Sequence, residues 1–273
     1  MQPALSQVCS LNAPFERDIA DYAAGKCPAI ELWTGKLDAY LEKHGTDDVR
    51  RLLEKHAVAA PVASFQGGLL SSQGEFRAQH WDAFAKRLAQ CRDLAIRTLV
   101  VAADVTGPLS QQDVDRVQVS LREAAELAGR HGVRLALEFQ SRASFINNLQ
   151  TAAALVAETA SPHLGICLDA FHFHVGPSKS QDLAYLTADN LFHVQLCDLL
   201  GVAREFATDA DRILPGDGDF PLAELVARLT EIDYTGCVSV ELMNPQIWHV
   251  GPLEFGEIAM TALRKLLGQA SMD

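Results

Sequence analysis

The chain has 273 residues, 48% of them hydrophobic, enough for one large α/β domain with a full core and no second domain. Its 35 acidic and 23 basic residues give a net charge of −12, which repels a phosphate backbone and argues against nucleic acid as a partner. Six cysteines without a CxxC pair, no apolar run of membrane-spanning length and no basic-then-apolar leader point to buried free thiols in a cytoplasmic protein without membrane contact.

Strand-like and helical runs alternate from end to end, the pattern of βα units on a parallel sheet. A weak first strand over residues 5–10 precedes the helical PFERDIADYAAG. PAIELW follows, then helical stretches over 37–44 and 46–56, the strand AAPVASF, a long amphipathic helix over 75–94 and the strand RTLVVAAD. The next helix starts after Ser110 as N-cap and stops at Gly132. Then come VRLALEF, helix NLQTAAALVAETA, LGICLD, a short helix over 181–186, LFHVQL, helix PLAELVARLTEI, CVSVEL and a closing helix over 252–267. Eight strand–helix pairs predict a single (β/α)8 TIM barrel over residues 1–273, with its site at the C-terminal ends of the strands. The polar, glycine-containing loops FQGGLLSSQGE, HFHVGPSKSQD, DLLGVAREFATDADRILPGDGD and MNPQIWHVGP all follow strands, on that same face.

Four of these strands end in Glu138, Asp169, Gln195 and Glu241. Alternate side chains of a strand point to opposite faces. The face of each polar residue also carries small or polar groups: Ala136; Gly165 and Cys167; His193; Cys237 and Ser239. The opposite face carries bulky groups such as Leu135, Leu137, Ile166, Leu168, Phe192, Val194, Val238 and Val240. Four oxygen donors closing one barrel interior predict a divalent metal site, for which Mn²⁺, Mg²⁺ or Co²⁺ suits the donors better than a structural zinc. Two residues compete for the third strand: His193 by ligand chemistry, Gln195 because it ends the apolar run as the others do.

Around this layer, His172 is placed to hydrogen-bond a substrate oxygen or move a proton, whereas His174 reads as merely solvated. Arg212 offers a fixed cationic fork to substrate, or a loop salt bridge with Asp209 or Asp211. In PGDGD, Asp217 and Asp219 repel phosphate, so the glycines serve the turn and an unphosphorylated substrate is expected. Glu31, Trp33 and Gln66 are placed to line the pocket, and Trp248 to cap it with an apolar face.

The motifs ALEF, LDxFHFH, HVQLxD, PGDGD and VSVEL, in this order, resemble the xylose-isomerase-like TIM-barrel superfamily of sugar isomerases and epimerases. The resemblance covers nearly the whole chain and is strongest over residues 132–245. It is nearest to inosose isomerases, ketose 3-epimerases and bacterial 3-dehydroshikimate dehydratases. The resemblance implies one divalent metal, Mn²⁺ favoured and Zn²⁺ also compatible, on Glu138, Asp169, Gln195 and Glu241. It places the third ligand at the second residue of an HxH-like pair, which is Gln195 here. Glutamine instead of histidine departs from most of the family and resembles the dehydratases. The loop after the third strand lacks the arginine those enzymes use for an acidic substrate.

The activity implied is proton transfer beside a carbonyl of a neutral keto-sugar or keto-inositol, with the metal stabilising an enediolate and Glu138 and Glu241 exchanging the proton. His172 would assist, and Arg212, His193, Gln66 and Trp248 would bind substrate. Loss of a β-hydroxyl from the same enediolate would make the enzyme a dehydratase or lyase. The charge and the single ligand layer argue against a DNA-repair endonuclease, and two opposed carboxylates argue against a non-catalytic sugar-binding protein. A homo-oligomer is compatible with the sequence.

Overall fold

The computed structural model describes residues 1–270. Eight strands, β1 Gln2–Ser6, β2 Ala29–Trp33, β3 Ala59–Gln66, β4 Thr98–Ala102, β5 Arg134–Glu138, β6 Leu164–Asp169, β7 Leu191–Leu196 and β8 Cys237–Val240, pair in parallel in chain order. Gln2 pairs with Cys237, which closes the barrel. The outer ring is α1 Phe15–Ala24, α2 Thr34–Leu41, α3 Thr46–His56, α4 Gly74–Asp93, α5 Gln111–Arg130, α6 Leu149–Thr159, α7 Ala170–Val175, α8 Leu222–Glu231 and α9 Pro252–Leu266. The predicted (β/α)8 barrel is the observed fold. None of the described helices is long and apolar enough to cross a membrane.

Two cores follow from strand parity. The outer one fills the space between strands and helices, with Leu135, Leu137, Ile166, Leu168, Val194, Val238 and Val240 among its members. The inner one is small: Ala4, Ala29, Val62, Val100, Ala136, Cys167, Phe192 and Cys237. Small groups are what a narrow eight-stranded interior admits. All six cysteines are free and buried.

Phe192 corrects the sequence reading, which placed it outside. Ile166 pairs with Leu191 but Cys167 pairs with His193, so β7 carries an extra residue at a bulge. A bulge redirects the side chain it contains, and the Phe192 ring fills the inner space left by Gly165. A Cβ on Gly165 would lie 2.6 Å from that ring.

Two element boundaries also differ. The first strand ends at Ser6, and residues 7–10 form a 3-10 turn in which Ser6 Oγ accepts from Val8 N–H. The HFHV stretch, read as loop, is helix α7, because Asp169 Oδ1 caps it by accepting from the N–H groups of Phe171 and His172 at 2.6 and 3.2 Å. Ser110 does cap α5, with Asp113 Oδ2 accepting from its N–H at 2.8 Å, and Gly132 follows the helix end at φ +69°.

Candidate active site

The strand ends bring Glu138, Asp169, Gln195 and Glu241 together, all buried. The sheet register sets their heights: Glu138 is level with Cys167, and Asp169 with Gln195, which is level with Ser239. Glu241 follows directly after β8. Glu138, Gln195 and Glu241 line a cavity of about 320 Å³ together with His172 and Arg212.

Arg212 makes the loop salt bridge with Asp209 and also lines the cavity. It comes from the long loop after β7 and is only 1% exposed. Its Nη1 donates to Asp169 Oδ2 at 2.8 Å and Glu241 Oε2 at 3.1 Å, while Nε and Nη2 donate to Asp209 Oδ1 at 2.9 and 2.7 Å. Its guanidinium also lies 4.5 Å from the centre of the Phe171 ring. Asp211 is not its partner, being occupied by Thr208.

Below the cavity lies a second polar layer that the sequence only hinted at. Glu31 on β2 is wholly buried and accepts from His193 Nε2 at 2.9 Å, from Gln195 Nε2 at 2.8 Å and from Ser239 Oγ. Glu31 and His193 therefore do not line the cavity, a correction to the expectation that His193 meets substrate. The register explains it, because His193 sits beside Cys167, one inward position below Gln195.

The charges do not balance. Three carboxylates, Glu138, Asp169 and Glu241, are buried in the layer that holds one guanidinium, while Glu31 beneath them is held by His193. Burial, and then the negative charge of Asp169, pushes Glu138 well above the usual carboxylate range. Burial raises Glu241 likewise, although Arg212 opposes it. Burial, the largest single influence, would raise Asp169, but the charges of Arg212 and His172 and the hydrogen bonds from Arg212 and Glu241 together hold that carboxyl below its ordinary value. Burial lowers His172. Its Nδ1 lies 3.4 Å from Ser141 N–H and 3.1 Å from Ser141 Oγ. An amide can only donate, so Nδ1 accepts and the neutral ring carries its proton on Nε2.

These residues fit a divalent cation. Polar atoms of Glu138, Asp169 and His172 lie within 4.8 Å of one another; the two carboxylates are the candidate ligands there, and His172, its Nδ1 held by Ser141, stands beside them as a donor. Excess buried negative charge of this kind is what such an ion offsets.

Two other expected contacts are not at the cavity. Gln66 turns its Nε2 onto the Gly67 carbonyl at 2.8 Å, and Trp248 donates Nε1 to the Val8 carbonyl at 2.7 Å. Trp33 and Phe65 form the apolar wall instead, ring centres 5.2 Å apart. Ser64 beside them is buried, its Oγ turned toward Glu31 in the layer below. His174 is half-buried against Phe220 rather than solvated.

The rim also holds residues the sequence reading missed, Asp104 and Arg142. Arg142 Nη2 donates to the Ala207 carbonyl at 2.7 Å, pinning the loop that carries Arg212. Arg142 follows Glu138 by only four residues, but a lone arginine in that loop reads as a solvated surface charge. Asp217 and Asp219 do not line the cavity, so they do not repel a ligand there.

Residues 19–266 match the xylose isomerase-like TIM barrel family. The chain belongs to that family. It is 28% identical over 230 residues to an inosose isomerase of Halalkalibacterium halodurans, covering 82% of this chain and 81% of that one. It is 27% identical over 255 residues to a 3-dehydroshikimate dehydratase of Pseudomonas aeruginosa, covering 89% of this chain but 38% of that longer one. A solved structure of the IOLI protein with a binding zinc atom superposes with a TM-score of 0.92 at 23% identity over 99% of each chain, a likeness of fold.

Proposed function

We propose that the chain is a metal-dependent isomerase or epimerase of a neutral keto-sugar or keto-inositol. The observation that carries this is a pair of buried glutamates, Glu138 and Glu241, opening on one cavity beside a guanidinium. The similarity to inosose isomerases along four-fifths of both chains supports the reaction class.

Glu138, Asp169, Gln195 and Glu241 would hold the metal, and Mn²⁺ and Zn²⁺ are the ions to test. A divalent ion there would polarise the substrate carbonyl and its neighbouring hydroxyl and keep the two glutamates ionised. One glutamate removes the proton from the carbon beside the carbonyl and the other returns it. His172 Nε2–H is the fixed donor for the negative oxygen that proton removal leaves, and the Arg212 charge, held on Asp169 and Glu241, stabilises it from beside. The Trp33–Phe65 wall gives a sugar ring an apolar face to lie against.

Dehydration is the second reading. It is favoured by the likeness to the dehydratase over 89% of the chain and by Arg142, a cation on the cavity rim able to meet a carboxylate. A substrate panel with Mn²⁺ or Zn²⁺ present separates the two. Turnover of neutral keto-polyols supports isomerisation or epimerisation, and turnover of carboxylated compounds alone replaces it with the dehydratase reading. Turnover of phosphorylated compounds alone overturns both.

A further inference from the structure

We infer that Glu31 is a positioning residue that fixes the amide of Gln195, so that the amide oxygen is the atom left for the metal. The inference rests on the metal-dependent reading above and concerns how this chain uses a glutamine within the strand-end layer.

Gln195 has two polar atoms, held very differently. Its Nε2 donates to Glu31 Oε1 at 2.8 Å and to Glu241 Oε1 at 2.7 Å. Its Oε1 accepts only from the Cys167 thiol, at 3.0 Å. A thiol is a weak donor, so the oxygen is the atom the protein holds least. Reversing the amide would set an oxygen against two carboxylate oxygens, at distances where a hydrogen is required. Glu31 therefore makes one amide orientation far better than the other.

Glu31 is itself over-determined. His193 Nε2 and Ser239 Oγ hold its second oxygen, Oε2, which leaves Oε1 facing Gln195. A carboxylate so supplied with donors can only accept, and it needs an N–H from position 195. Where a histidine binds a metal through one nitrogen, a carboxylate commonly takes the N–H of the other and fixes the ring. Glu31 and Gln195 reproduce that relay with an amide. The nitrogen goes to the carboxylate and the oxygen to the ion. The lower layer of Glu31, His193 and Ser239 thus has a purpose although none of the three meets the cavity.

Calorimetric titration of Mn²⁺ into the chelator-stripped full-length protein tests this without any substrate. Wild type should bind one ion. Glu31→Gln, which can offer Gln195 an N–H and so release the amide to turn, should bind about 10- to 100-fold more weakly, the usual cost of losing such an outer partner. Gln195→Ala should also bind more weakly, and Glu31→Gln should add nothing further in that background. Losses that simply add in the double variant would show Glu31 acting elsewhere and overturn the inference. So would unchanged binding by Glu31→Gln while wild type binds. If wild type itself binds no ion, the metal reading fails and takes this inference with it, a result distinct from the other two. Should Glu31→Gln not fold, as judged by circular dichroism, Glu31→Asp keeps the charge and withdraws the oxygens by one methylene. It should show the same loss, and full affinity there would equally overturn the relay.

Discussion

Arg212 Nη1 lies between two carboxylates of the strand-end layer, 2.8 Å from Asp169 Oδ2 and 3.1 Å from Glu241 Oε2. One nitrogen thus joins β6 to the end of β8 across β7, and it does so almost without solvent. Replacing Arg212 by Met keeps much of the volume and removes the charge, leaving both carboxylates uncompensated. Breaking a buried pair in this way typically costs about 3–5 kcal/mol. The stripped variant should lose that much in urea unfolding, and Mn²⁺ or Zn²⁺ should restore more stability to it than to wild type. Equal stabilisation of both proteins by metal would show that Arg212 and the ion do not share these carboxylates.

The sequence made the barrel and its strand-end layer legible because both depend on parity. Small groups inside, branched groups outside and an oxygen at the end repeat on four strands. What parity cannot convey is local irregularity. One extra residue in β7 turned Phe192 inward, and a side-chain cap from Asp169 made helix α7 from a segment that reads as loop. Rotamers are equally hidden. Trp248 and Trp33 read alike as pocket aromatics, yet the first spends its N–H on Val8 and only the second reaches the cavity. The inward members of the Glu31 layer could be read from parity, but their pairing could not, because it joins residues 162, 164 and 208 positions apart.

His174 should make the fold acid-sensitive. Its ring packs 4.6 Å from Phe220, and burial pushes its pKa down from 6.5 to about 4. Between those values the unfolded chain binds the proton and the folded one does not. Stability is therefore fully present above about pH 6.5 and is lost as pH falls toward 4. The residue is partly exposed, so a contribution of about 1–2 kcal/mol is expected. Urea unfolding at pH 7.5 and 4.5 should show a smaller acid loss in His174→Phe than in wild type. An identical loss would assign the acid limb to other groups.

Gly218 should tolerate no side chain. A Cβ there would lie 2.4 Å from both Asp198 Oδ1 and the Leu199 carbonyl oxygen. Asp198 organises this turn, its Oδ1 accepting from the Leu199 and Phe220 N–H groups at 2.9 Å and its Oδ2 from Gly216 N–H at 3.0 Å. Gly218→Ala must displace that carboxylate, at about 1–3 kcal/mol. Because the same loop carries Arg212, catalysis should fall together with the denaturation midpoint. A variant of wild-type stability would mean that the turn has slack.

Glu241→Gln separates binding from chemistry. The amide keeps one oxygen for the metal and for Arg212 and loses only the acceptor that Gln195 Nε2 uses, so the fold and part of the metal affinity should remain. It cannot take a proton from carbon. Turnover should fall by at least ~10²-fold, the typical worth of a positioned base. In D₂O the wild type should place deuterium on the carbon beside the carbonyl, whether the net outcome is isomerisation, epimerisation or elimination. The variant should lose that exchange in step with turnover. Solvent deuterium identifies a proton that has left the substrate, and a carboxylate open to a wet cavity exchanges its proton readily. Wild-type product formed without deuterium would mean that hydrogen moves within the substrate as hydride, and the two-glutamate mechanism would then be wrong even if the substrate class were right.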